Sequence, residues 1–146
     1  MENLDFSRGV TTFSLAGLCE VSFNPADTTF IERLYSTMEE LRTRQDEFSK
    51  AAAEVGPSRE MFELSRKHDE AVKAAIDGLF NAPVSDALFS DVSPCASADG
   101  LPIWMNLLLA VMDQVENRVG GAEERANPRI NKYMEKYRKY DKKYHK

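Results

Sequence analysis

The residues best suited to chemistry are the tyrosines and lysines between Arg129 and Lys146, and the chemistry they suit is recognition. Ile130, Tyr133, Tyr137, Tyr140 and Tyr144 recur every three or four positions, which puts them on one face of a helix. A lysine precedes each tyrosine (Lys132, Lys136, Lys139 and Lys143), so a cationic stripe runs beside the aromatic one. This segment holds eight basic and two acidic residues, a net +6, within a chain of net charge −5. The other 128 residues therefore carry −11. Three readings stay open for such a helix. It can dock on a protein, burying rings while its lysines steer toward acidic surface. It can bind nucleic acid, with lysines on phosphates and rings under bases, although the acidic body repels phosphate. It can also fold back on its own acidic body.

Bond-making chemistry finds no comparable pattern. His68 and His145 are the only histidines, and neither has a serine, cysteine and acid at the spacing of a known nucleophile motif. Glycines do not form a phosphate-cradling loop. Cys19 and Cys95 are far apart, with no CxxC pair, and read as two free thiols. His68 falls on an apolar stripe without a second ligand and reads as a packed residue. A non-catalytic protein is expected, with no cofactor and no metal.

The elements that carry these residues follow from periodicity. Phe13 and Leu15, then Cys19, Val21 and Phe23, alternate around Ala16 and Gly17, so two short strands or one bent strand are expected. One face is expected to pack on the chain's own helices, the alternative being an exposed edge that accepts a partner strand. After Asn24-Pro25, Asp27 caps a helix to about Val55, with Leu34, Met38, Leu41, Phe48, Ala52 and Val55 as its stripe and Gln45 in its polar slot. Phe30, Ile31 and Tyr35 widen that stripe at its start. Gly56-Pro57 stops it, and Ser58 caps a second helix to about Phe80, which makes an antiparallel hairpin.

A short turn of helix pinned by Leu88 and Phe89 precedes a loop through Ser93-Pro94-Cys95. Leu101 to Val119 is then a central helix, apolar over much of its circumference, with Trp104 as a core anchor or a rim contact. Gly120-Gly121 ends it. Asn127 and Pro128 start the basic helix. The expected fold is mainly α: a helical hairpin plus a central apolar helix, a short N-terminal strand or hairpin segment, and a C-terminal basic helix. Residues 1–121 read as one acidic domain, and 122–146 as a hinge and the basic helix.

The longest apolar stretch, Leu101 to Met112, is broken by Pro102 and Asn106 and falls short of the ~20 residues that cross a bilayer. The first residues lack a basic and then apolar leader, so a cytoplasmic protein is expected, not a secreted one.

The order of parts carries a resemblance. A strand reading Phe13-Ser-Leu-Ala-Gly leads through Val21-Ser-Phe-Asn-Pro-Ala-Asp into Phe30-Ile-Glu-Arg-Leu. A helical hairpin, an Asp86-Ala-Leu-Phe89 turn and an apolar helix follow, and the end reads Ile130-Asn-Lys-Tyr-Met-Glu-Lys-Tyr-Arg. Over nearly its whole length the chain resembles the tail assembly chaperones of long-tailed bacteriophages. Ser90 to Pro94 departs from that family, where a glycine-containing segment is expected. The resemblance implies a mostly helical protein made in the infected bacterium and absent from the finished virion. It also implies two protein partners, the tape-measure protein, which the chaperone coats, and the tail-tube protein, which it recruits. Some members also exist as a longer frameshifted form, and this chain would be the short one. With that role, Trp104, Leu108 and the tyrosine stripe are expected to face a client or a second copy. Two alternatives are a nucleic-acid-associated accessory protein that uses the basic helix, and a structural connector or completion subunit of the virion.

Overall fold

The computed structural model describes residues 1–118 and 128–144; for residues 117, 118, 130, 137, 140 and 141–144 the description covers the backbone alone. The protein is mainly helical. Strands β1 (Thr11–Leu15) and β2 (Cys19–Phe23) form an antiparallel hairpin in which Phe13 faces Val21 and Leu15 faces Cys19. Their turn needs positive φ at Ala16 (53°) and Gly17 (72°), and the Leu18 amide closes it on the Leu15 carbonyl at 2.9 Å. Of the two forms open from sequence, the paired hairpin is the one adopted.

Its apolar face is held by a phenylalanine stack. Phe13 lies 4.7 Å from Phe23, which lies 4.4 Å from Phe30, and Phe80 closes the group at 6.2 and 6.5 Å from Phe23 and Phe30. A two-stranded sheet is only marginal alone in water. This packing supplies what the hairpin lacks, because stacked and tilted aromatic pairs add to the burial of their surfaces.

Helices α1 (Thr28–Val55) and α2 (Arg59–Phe80) form the antiparallel pair the sequence predicts. Asp27 caps α1 by accepting from the Thr29 amide at 3.0 Å, and Ser58 caps α2 by accepting from Met61 at 3.3 Å. Between them Gly56, at φ 64°, donates its amide to the Ala52 carbonyl and closes α1. Asn81 ends α2 in the left-handed conformation. The stripe of α1 differs from expectation in one place. Tyr35 is exposed, and Thr37, one turn on from Leu34, takes the buried slot. The 3.6-residue period rotates position 35 too far from Leu34 to share its inner face.

Helix α3 (Ser85–Leu88) is a single turn that buries Leu88 and Phe89. Asp77 of α2 accepts from both the Ser85 amide (2.8 Å) and the Ser85 hydroxyl (2.7 Å), which fixes the turn against α2. The following loop contains a two-residue hairpin, β3 (Ser97–Ala98) with β4 (Leu101–Pro102), not expected from the pattern. Asp99 and Gly100 turn it with φ of 54° and 82°, the pairing that Asp-Gly favours. Helix α4 (Ile103–Arg118) starts two residues later than expected because Leu101 and Pro102 belong to β4. Its first amides are satisfied from the loop: Trp104 donates to Pro94 at 2.9 Å and Ile103 to Ala96 at 3.0 Å.

One core joins these elements, formed by Leu34 and Leu41 of α1, Val72 and Ile76 of α2, and Trp104 and Leu108 of α4, all fully enclosed. Helix α5 (Pro128–Tyr144) carries the basic segment. The expected end of the central helix at Val119 and Gly120-Gly121, the hinge those glycines form with 122–126, and the Asn127 cap lie outside the described residues.

Candidate protein-docking surface

Pro128 opens α5, its fixed φ suited to the first helical position. The helical backbone puts positions 130, 133, 137, 140 and 144 within one arc and positions 132, 136, 139 and 143 on the neighbouring arc. Tyr133 is 56% exposed and Met134, beside it, 47%. Lys132 and Lys136, one on each side in sequence, hold their ammonium groups 5.5 and 5.7 Å from the Tyr133 ring centroid. An exposed pair of this kind is worth roughly 0.5–1 kcal/mol, and its effect is to keep ring and charge together as one patch. Lys139 is exposed as well. The side chains of Tyr137, Tyr140, Tyr144 and Lys143 lie outside the described set.

Two residues expected at a partner surface are inside the protein. Trp104 and Leu108 are both 0% exposed, one turn apart on the inner face of α4. Neither touches a client in this fold. The reason is the register of α4: Trp104, Leu108, Val111 and Val115 form its inward stripe, and Leu109 and Ala110 take the outer side. The Trp104 indole N–H finds no acceptor among the described residues. Its ring is present for bulk, not for a hydrogen bond.

The groups that could bear reactive chemistry are tied into the fold. His68 is buried between α1 and α2, its Nε2 3.3 Å from Gln45 Oε1 and its ring stacked on Phe48. Burial pushes its pKa below the ordinary histidine value; the Asp69 charge opposes that and Arg44 adds to it. Gln45, the polar slot that the sequence shows between Leu41 and Phe48 in the stripe of α1, is thereby explained.

Cys95 lies half-buried near Asp69 and Ser93. Ser93 donates its hydroxyl to Asp69 Oδ1 at 2.9 Å and accepts the Cys95 amide at 3.1 Å. Burial, then the Asp69 charge and its hydrogen bond, push the thiol up to about 12, against a smaller opposing effect of the Ser93 hydrogen bond. A thiol so placed is a poor nucleophile, since the thiolate is the reactive form. The arrangement fastens the 90–96 loop to α2. Among the described residues no group of histidine, cysteine and carboxylate side chains is placed to hold a metal ion, and no helix is long and apolar enough to cross a membrane.

Apolar surface is exposed at two further places. Phe62 borders an open depression of about 990 Å³ where α1 turns into α2. Leu18 and Val92 border a groove of about 430 Å³ between the β1–β2 turn, the residues after α3, and α4. Neither was expected from the sequence: the groove combines residues distant in the chain, and the depression, though local to residues 48–62, is bordered by Phe62, which lies off the apolar stripe of α2. No family model, curated protein or solved structure matches this chain.

Proposed function

We propose that this protein is a non-catalytic docking protein, and that its role is that of a phage tail assembly chaperone. In that role it binds the tape-measure protein in the host cytoplasm and helps recruit tail-tube subunits, without remaining in the finished virion. The observation that carries the docking part is the exposed Lys132–Tyr133–Lys136 patch on α5, a ring flanked by two ammonium groups on a helix of net positive charge. Exposed tyrosine beside cations suits a protein surface that is apolar at its centre and acidic at its rim. The interior position of His68 and the raised thiol of Cys95 favour binding over catalysis. The assignment to tail assembly rests on the resemblance in the order of parts along the sequence. Trp104 and Leu108 have no direct part in it, since both are enclosed.

Salt dependence tests the docking reading against a nucleic-acid one. Capture of a tape-measure fragment should weaken only modestly between low and physiological salt, because the lysine contacts at the rim are screened while ring burial is not. Affinity for a single-stranded oligonucleotide that exceeded it and fell steeply over the same range would favour the phosphate-binding alternative.

A further inference from the structure

The segment ahead of β1 is an apolar arm with a fixed base. Residues Met1 to Val10 are all exposed, with Leu4 at 84% and Phe6 at 79%. Leu4 and Phe6 alternate with Asn3, Asp5 and Ser7, and the Asn3 amide donates to Asp5 at 2.7 Å on the other side. The arm therefore has an apolar face and a polar face, as a half-buried strand does. Its base is built. Asn24 donates from Nδ2 to the Arg8 carbonyl at 2.9 Å, and its Oδ1 accepts the Ala26 amide at 2.8 Å, so one side chain ties the arm to the entry of α1. Gly9 sits at φ 70°, and a Cβ there would lie 2.7 Å from Asn24 Nδ2. The fold thus sets the direction in which the arm leaves while the two large side chains stand in water. Solvated Leu and Phe in tandem are a cost that another surface removes.

A surface of matching character lies at the other end of the same hairpin. The 430 Å³ groove is walled by Leu15, Leu18, Phe89, Ile103, Leu107 and Ala110, nearly all apolar, and has room for two large side chains. Leu4 and Phe6 are two residues apart, a separation of about 7 Å along an extended chain, which lets both enter one groove. In their own molecule Leu4 and Phe6 stand exposed and do not enter the groove, which leaves the groove of a second copy open to them. Two arms in two grooves remove on the order of 1,000 Å² from water, the area a specific association requires.

We propose that Leu4 and Phe6 of one copy fill the groove between the β1–β2 turn and α4 of a second copy, reciprocally, making an arm-exchanged dimer. The symmetry is that of a twofold pair, in which each copy gives an arm and receives one. This inference rests on the body of the chain and is independent of what α5 binds.

The test is sedimentation velocity on the full chain over a dilution series, with two variants. Leu4→Ser/Phe6→Ser alters the arm, whose side chains are wholly exposed, and Ala110→Glu puts a charge on the exposed wall of the groove. Thermal melts followed by circular dichroism check that both stay folded. The expected result is a dimer that dissociates on dilution, with both variants monomeric at every concentration and melting like the dissociated parent. A parent that is monomeric throughout overturns the proposal, as when each arm lies in its own groove or the groove takes another protein. A dimer that survives either change also overturns it, because association then uses another surface.

Discussion

His68 stacks on Phe48 with ring centroids 4.7 Å apart and planes 4° from parallel, which makes a histidine a structural member of the α1–α2 interface. Its pKa is lowered in the folded state, chiefly by burial, from the ordinary 6.5. The unfolded chain therefore binds this proton more readily than the folded one. The stabilisation is complete above the unfolded pKa and is lost as pH falls through 6.5 toward the lower folded value. Urea midpoints at pH 7.5 and pH 5 should separate more for the parent than for His68→Phe, which keeps a ring against Phe48 without a titrating group. Equal pH dependence of the two would show that His68 titrates alike in both states.

The two faces of α4 and α5 differ in what a substitution costs. Leu108→Ala opens a cavity in the core and should lower stability by about 2–5 kcal/mol. Tyr133→Ser changes an exposed side chain and should stay within roughly 0.5 kcal/mol. Chemical denaturation measures both. A large loss for Tyr133→Ser would mean that α5 is packed on the body.

Asp77 holds Ser85 by two hydrogen bonds, one to the amide and one to the hydroxyl. Asp77→Ala leaves both donors without that acceptor and should cost about 1–3 kcal/mol. Ser85→Ala removes only one of the two bonds and should cost less. The order of the two melting temperatures checks the assignment.

The raised thiol of Cys95 makes a kinetic difference. At pH 8 almost none of a thiol with a pKa of about 12 is ionised. Alkylation of Cys95 by iodoacetamide, followed by peptide mass spectrometry, should be slow in the native protein and fast in guanidinium. Asp69→Asn should speed the native reaction by removing a raising influence.

The hairpin of α1 and α2 was legible because its signals are local: Asp27, Gly56-Pro57 and Ser58 each act within one turn of their own position. The alternation from Phe13 to Phe23 located β1 and β2 for the same reason. The pair β3–β4 escaped, since two residues cannot show alternation, and its one signal was the Asp99-Gly100 dipeptide. Trp104 and Leu108 were visible as large apolar residues on a strongly apolar helix. Which of its faces turned inward depended on where α1 packs. The links from Asp77 to Ser85 and from Asp69 to Ser93 join separate segments and leave no periodic trace. On α5 the 3/4 spacing was plain in the sequence, and the structure adds the lysine ammonium groups beside the Tyr133 ring.

The central claim is that the aromatic face of α5 captures a protein client. Co-expression with a tape-measure fragment, followed by size-exclusion chromatography in moderate salt, tests it most directly. The parent chain should keep the fragment soluble and co-elute with it. The variant with Tyr133, Tyr137, Tyr140 and Tyr144 all changed to serine should elute alone while its core melts as before. Co-elution by that variant, or a fragment that precipitates beside the parent, would contradict the claim.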